Sequence, residues 1–293
     1  MTISKGNIFS SFSLRCGKNI VEFDRPCIWG ILNVTPDSFY DGGRHTDSES
    51  IVAHAKWLLA EGADVIDVGV VSSRPGAILL PPDEEAKKLS GVVALLRREL
   101  PADTIISVDT CYSRPAETAI EAGADIVNDI SGGQFDEAMF PTVARLHVPY
   151  VLSHTRGLPS EMQNLTDYDD LMREMQYYFS ERLEQLYRLG VADVILDPCF
   201  GFAKNTEQNY ELLANLDDIT STFKEPVLVG VSRKSMIYRA LGITPQEALN
   251  GTTVINTMAL LQGAKMLRVH DPREAKQTIE LTMKTVRKLK IEN

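Results

Sequence analysis

The chain repeats one pattern of hydrophobic and polar positions: a short apolar run rich in β-formers, a loop holding Gly, Asp, Asn or Ser, then a longer stretch with helical spacing. Eight apolar runs stand out, at residues 27–32, 64–68, 104–108, 125–127, 149–152, 194–196, 227–231 and 265–269. Helix-like segments such as SIVAHAKWLLAEGA, PAETAIEAGA, YDDLMREMQYYFSERLEQLYRLGV and TVINTMALLQGA lie between them. Three of these close on a Gly-Ala pair, at Gly62-Ala63, Gly123-Ala124 and Gly263-Ala264, as expected where glycine ends a helix in the left-handed conformation. Apolar strands alternating with helices predict a parallel sheet covered by helices. Eight repeats predict a closed (β/α)8 barrel, here as one domain over residues 1–293. The rival is a doubly wound open sheet, which usually carries a glycine-rich phosphate loop after its first strand; this chain has NVTPDSF there. The segment FSLRCGKNIVEF, ahead of the first barrel strand, is expected to form a small β-hairpin over the barrel's bottom.

Composition narrows the class without changing that picture. With 44% hydrophobic and 24% charged residues over 293 positions, the chain has enough apolar side chains for a large core. A formal charge of -10 argues against a nucleic-acid or anionic-membrane partner, which clustered Lys and Arg would serve. Cys16, Cys27, Cys111 and Cys199 are widely spaced, with no CxxC pair, so disulfide and zinc readings are poor. The opening MTISKGNIFSSF has no uninterrupted apolar core of a signal peptide, and no apolar run reaches membrane-spanning length, so a cytoplasmic location is the expectation.

Barrels of this kind draw their chemistry from the C-terminal ends of the strands. At those exits the chain offers Asn33; Ser72, Ser73 and Arg74; Asp109; Asn128 and Asp129; His154; Asp197; Ser232, Arg233, Lys234 and Ser235; and Arg268 with His270. An Asp or Asn after a strand is often only the cap of the next helix, but polar groups at all eight exits would converge on one mouth. Alternate strand residues face one way, so Arg268 and His270 point together; with Asn33 and Lys234 they suit a phosphate or diphosphate group. The plain alternative is an exposed salt bridge between Arg268 and Asp271. Asp109, Asn128 and Asp197 form a second set, able to read a flat heterocycle carrying adjacent N–H and C=O groups, with Lys234 donating to the ring and Phe202 stacking nearby. Thr35, Pro36, Asp37 and Ser38 after the first strand, with Ser73, Arg74, Pro75 and Gly76 after the second, read as mobile loops that cover the site.

NVTPDSFYDGG, DVGVVSSRPGA, ISVDT, IVNDISGG, ILDPCFGFAK, GVSRKSMI and LRVHD, in this order, resemble the dihydropteroate synthase family from about residue 27 to 275. The resemblance implies a (β/α)8 barrel, usually a homodimer. It also implies condensation of 7,8-dihydropterin-6-ylmethyl diphosphate with 4-aminobenzoate to 7,8-dihydropteroate and pyrophosphate, in folate biosynthesis with Mg2+. It assigns the pterin to Asp109, Asn128, Asp197 and Lys234, with Ile130 beside the ring, and pyrophosphate and magnesium to Asn33, Arg268 and His270. The second substrate falls to Thr35, Pro36, Ser73, Arg74, Pro75, Phe202, Lys234 and Ser235. The groups placed nearest the chemistry are Asp109, Lys234, Arg268 and His270.

The chain departs from the family pattern at three places. DVGGESTRPG becomes DVGVVSSRPG, with Val70 and Val71 where a Gly and a Glu are usual; MHMRG becomes Ser153-His154-Thr155-Arg156-Gly157; and Cys199 takes the place of a Gly in DPGFGF. Two alternatives therefore stand beside the synthase: a catalytically reduced or silent pterin-binding homologue, and a pterin-dependent methyltransferase barrel, which would not need SRKS or the pair Arg268 and His270.

Overall fold

The computed structural model describes residues 10–34, 47–71 and 79–289. Two short strands, β1 (Phe12–Cys16) and β2 (Asn19–Phe23), pair antiparallel as the expected hairpin. Eight parallel strands follow: β3 (Cys27–Asn33), β4 (Val65–Gly69), β5 (Ile105–Asp109), β6 (Ile126–Asp129), β7 (Tyr150–Ser153), β8 (Val194–Asp197), β9 (Leu228–Val229) and β10 (Met266–Val269). Their order is β8-β7-β6-β5-β4-β3-β10-β9, and a parallel bridge between Leu196 and Val227 joins the two ends into a barrel. The strand expected over 227–231 is shorter than the apolar run because Val227 serves that bridge and Val231 already accepts from the turn at Lys234. Helices α1 (Asp47–Ala60), α2 (Pro82–Glu99), α3 (Ser113–Glu121), α4 (Met139–Leu146), α5 (Leu171–Arg188), α6 (Thr206–Ala214), α7 (Leu216–Thr222), α8 (Ser235–Leu241), α9 (Leu249–Leu261) and α10 (Pro272–Leu289) lie around it.

Two-residue alternation sorts every strand into an outer and an inner layer. Ile28, Ile66, Val68, Ile106, Val108, Val127, Leu152, Leu196, Val229 and Leu267 pack outward against the helices. Cys27, Trp29, Val65, Ile105, Ile126, Val151, Ile195, Leu228 and Met266 fill the lower interior. Gly30 lets β3 approach α1, since a Cβ there would sit 3.0 Å from Ala63 Cβ and 3.2 Å from Leu58 Cβ.

The hairpin closes the bottom of the barrel. Leu14, Cys16 and Phe23 join the interior cluster, and Arg15 N donates to Asp193 Oδ2 at 3.0 Å just ahead of β8. Two strand entrances are braced alike: Asp64 accepts from Arg25 and from Ile28 N, and Asp125 from Arg97 and Ile106 N. The scaffold is thus locked at the end opposite the polar mouth. Leu14→Ala should cost about 2–5 kcal/mol of stability, as buried leucine truncations do. Because the hairpin is remote from the mouth, kcat/KM at temperatures well below melting should stay unchanged; denaturant midpoints and steady-state kinetics check the pair of outcomes.

Candidate active site

The inner parity continues upward from the apolar interior into polar groups. Above Trp29 stands Asn33; above Val65, Asp67 and Gly69; above Ile105, Asp109; above Ile126, Asn128; above Ile195, Asp197; above Met266, Arg268 and His270. Register brings them level: Asn33 is opposite Gly69, Gly69 opposite Asp109, and Asp109 opposite Asn128. A Cβ on Gly69 would lie 3.5 Å from Asn33 Oδ1 and 3.8 Å from Asp109 Oδ2, so the amide and the carboxylate face each other over a glycine.

Arg268 is the centre of this group. Its Nε donates to Asp67 Oδ2 at 2.6 Å and its Nη2 to Asp109 Oδ2 at 3.1 Å. Asn128 Nδ2 lies 3.2 Å from Asp67 Oδ2, so Asp67 is gripped from two strands. Burial works against the Arg268 charge, but Asp67 and Asp109 outweigh it and hold its pKa above the ordinary value. Burial pushes Asp109 up to about 7, with Arg268 opposing and Asp67 adding to the rise. The bridge to Asp271 weighed above does not form: Asp271 binds Arg233, through Nε at 3.0 Å and Nη2 at 2.5 Å.

On the far side, Asp197 accepts from Cys199 N at 2.7 Å, and burial raises its pKa against the pull of Lys234. Lys234 Nζ donates to Phe200 O at 2.5 Å and stands 5.0 Å from the Phe202 ring centroid; burial lowers its pKa. Lys234 caps α8, so Ser235 opens that helix. Ile130 is buried beside Asn128. Ser232 ties its strand exit to β10: its Oγ accepts His270 N at 3.2 Å and lies 2.9 Å from His270 Nδ1. With the Ser232 proton directed to Nδ1, the imidazole carries its own proton on Nε2.

Two exit residues turn away from the mouth. Asp129 accepts from Tyr150 Oη, Ser131 N and Gly133 N, which makes it the brace of the turn after β6. His154 packs outward, edge-on to Tyr178 at 4.8 Å between ring centroids. Thr35, Pro36, Asp37, Ser38, Ser73, Arg74 and Pro75 lie outside the described residues. Asp67 is the functional group that the exit-by-exit reading missed. Its signal was present: a carboxylate inside the apolar run VIDVG, at the same parity as Val65.

The three departures also find places. Val70 is buried against the outer core. Cys199 adopts φ 52, so it keeps the left-handed backbone a glycine would favour and bears the strain of a Cβ there. Ser153 is opposite Asp197 in register, on the inner face.

The chain that carries this mouth resembles known proteins. The sequence signature of the pterin binding enzyme family covers residues 29–270. The chain is 42% identical over 250 residues to the dihydropteroate synthase of Synechocystis, covering 84% of this chain and 86% of that one. This chain belongs to the dihydropteroate synthase family. Identity to the Escherichia coli K12 dihydropteroate synthase is 38% over 268 residues, 91% of this chain and 94% of the other. Among solved structures, the Yersinia pestis dihydropteroate synthase in a sulfonamide drug complex superposes with TM-score 0.86 at 36% identity, over 94% of this chain and 99% of that one. The Xanthomonas albilineans dihydropteroate synthase with 4-aminobenzoic acid gives 0.87 at 35% identity, over 94% and 98%.

The raised Asp109 pKa has a consequence for stability. An unfolded carboxyl titrates near 3.8 and the folded one near 7, so the folded state holds the extra proton between those values. Its contribution to stability is complete below about pH 3.8 and is lost as pH rises through 7. Asp109→Asn should therefore melt higher than the wild type at pH 8, with the gap closing as pH falls towards 4. Equal melting temperatures at both pH values would contradict this reading.

Proposed function

We propose that this chain catalyses the dihydropteroate synthase reaction, joining 7,8-dihydropterin-6-ylmethyl diphosphate to 4-aminobenzoate with release of pyrophosphate. The observation that carries the proposal is the Arg268 bridge between Asp67 and Asp109, level with Asn128. It sets carboxylates, an amide and a guanidinium together at one barrel mouth, which is what a ring with N–H donors and a diphosphate tail require together. The carboxylates of Asp109 and Asp197 and the amide of Asn128 bind the polar edge of the ring, and Lys234 donates to its carbonyl. Arg268 spends two of its N–H groups on the carboxylates, so its remaining N–H donors are left for the diphosphate, with His270 on the same face of β10. As the carbon–oxygen bond to pyrophosphate breaks, positive charge grows on the ring's methylene carbon beside fixed negative groups; the amine nitrogen then bonds to that carbon and gives up a proton.

A magnesium ion fits this donor set in one way. Among the described residues no group of three His, Cys, Asp or Glu side chains could hold a metal. Asn33 offers a hard amide oxygen beside Asp109, which suits an ion that takes most of its ligands from phosphate and water. Bound in that way, Mg2+ would neutralise charge on the departing pyrophosphate.

A second copy of the chain is proposed as the partner, on α9 and α10, where Val254 (47% exposed), Met258 (38%) and Leu281 (66%) present apolar side chains outward. Cys16, Cys27, Cys111 and Cys199 are all free and buried, which supports a reducing compartment such as the cytoplasm. No helix among the described residues is long and apolar enough to cross a membrane.

Purified protein supplied with the pterin diphosphate, 4-aminobenzoate and Mg2+ should release pyrophosphate. Binding of pterin without release would identify a non-catalytic homologue instead. Arg268→Ala should lower turnover by about 10²–10³, the worth of one preorganised contact to developing charge. Near-normal turnover in that variant would sink the proposed role of the guanidinium.

A further inference from the structure

Lys204 is a lysine with 2% of its surface exposed, and it has no place in the chemistry above. Its Nζ lies 3.0 Å from His154 Nδ1, 3.2 Å from Cys199 O and 3.0 Å from Phe202 O. An ammonium carries three N–H donors, and here three acceptors meet them. Burial, followed by the Lys204 charge, holds the His154 pKa well below its usual value, so that imidazole is neutral and Nδ1 can accept. Burial likewise lowers Lys204 to about 7. A buried cation paired with a neutral ring and two carbonyls costs solvation, and a lysine stem has ample length to reach water instead. The arrangement needs a return.

That return lies in the turn Lys204 holds. Between Cys199 and Ala203 the backbone alternates through the left-handed region: φ is 52 at Cys199, 84 at Gly201 and 48 at Ala203. Two of those positions carry a Cβ, which the left-handed conformation brings too close to the following carbonyl oxygen. Such a turn persists only where its surroundings fix it. The fixing groups are Lys204 on the carbonyls of Cys199 and Phe202, Asp197 on Cys199 N, Asn209 Oδ1 on Gly201 N at 2.6 Å, Gln163 Nε2 on Gly201 O at 2.9 Å, and Tyr168 Oη on Ala203 O at 3.0 Å. Lys204 is the group among these that spans the turn at both ends. The same turn offers Phe200 O to Lys234 Nζ and sets the Phe202 ring beside it.

We infer that Lys204 is a positioning residue: seated on His154 Nδ1, its buried ammonium fixes the 199–203 turn, and through that turn it sets Lys234 and Phe202 in the substrate cavity. The connection runs from His154 at the exit of β7, outside the barrel, to Lys234 at the start of α8. Neither Lys204 nor His154 touches substrate. A shift of about 1 Å in a positioned group can cost about 10²-fold in rate, which is the scale on which this brace acts.

The inference rests on the synthase reading, and wild-type turnover tests that reading by itself. For the brace, the informative pair is His154→Asn and His154→Leu. Asparagine keeps an acceptor oxygen bonded to Cγ, where Nδ1 is; leucine removes it and fills similar space. His154→Asn should keep kcat/KM close to wild type, whereas His154→Leu and Lys204→Met should lose about 10²-fold, with the KM for 4-aminobenzoate raised. A purely structural role predicts instead that both His154 variants lose activity in step with their melting temperatures. A crystal structure of His154→Leu supplies a readout that does not depend on turnover: Lys234 Nζ should have left Phe200 O and the Phe202 ring should have moved. An unchanged turn in that structure, or equal activity in the two His154 variants, overturns the inference.

Discussion

The site depends on one guanidinium held between two carboxylates. Arg268 reaches from β10 across the barrel mouth to Asp67 on β4 and Asp109 on β5, and Asn128 on β6 completes the grip on Asp67. Two carboxylates share one cation in a buried place, and the Asp109 pKa is raised first by that burial, with Arg268 opposing and Asp67 adding to the rise. Folding alone would be better served by a neutral pair. The carboxylate charge is useful to a reaction that passes through a positive carbon, because it is already oriented and dry when the positive charge appears. Stability is given up at the mouth for that purpose, and the sealed lower barrel, with the hairpin's Leu14, Cys16 and Phe23 packed into it, offsets the loss.

Most of the fold was legible because strand and helix periods differ so clearly in this chain. The eight apolar runs became the eight barrel strands, and the Gly-Ala helix ends hold their left-handed glycines at Gly62, Gly123 and Gly263. β9 spans less than its apolar run because Val231 already accepts from Lys234 N in the next turn, while Val227 pairs with Leu196 in a long-range bridge that no local pattern encodes. The site was less legible for a definite reason. Reading the first polar residue after each strand ignores parity. Asp129 and His154 follow their strands closely yet sit on the outer parity, while Asp67 lies inside a strand on the inner one. Extending the alternation of Met266, Arg268 and His270 to all strands would have admitted Asp67 and set aside both outer residues. Lys204 lay beyond even that rule, since its partners come from β7 and from a turn whose shape depends on tertiary bonds.

The departures from the family pattern bear on how firmly the chemistry is retained. Val70 enters the outer core, where a β-branched apolar side chain is at home, and so adds packing at the point where β4 leaves the barrel. Cys199 is a different case, because it accepts left-handed strain rather than altering the backbone. Its thiol, raised by burial to about 12, stays protonated near neutral pH and acts as a small apolar group. Ser153, opposite Asp197, is correspondingly small. Val70 thus lies in the outer core and Ser153 on the inner face opposite Asp197, and none of the departures replaces Asp67, Asp109, Asp197, Lys234 or Arg268.

A wall can change freely only if something else keeps the charged groups in place, and here that is a second set of contacts on the outer parity. Asp129 secures the turn after β6 through Tyr150, Ser131 and Gly133, and His154 with Lys204 secures the turn after β8. At two strand exits an inner residue is followed by an outer one whose bonds hold a turn, Asp129 directly on backbone N–H groups and His154 through Lys204. Asn128 precedes Asp129, and Ser153 precedes His154. Consecutive strand residues point to opposite faces, so a single dipeptide can present one side chain to the cavity and anchor the loop that shapes it. This division explains why polar residues crowd the strand exits in numbers that substrate binding alone does not require.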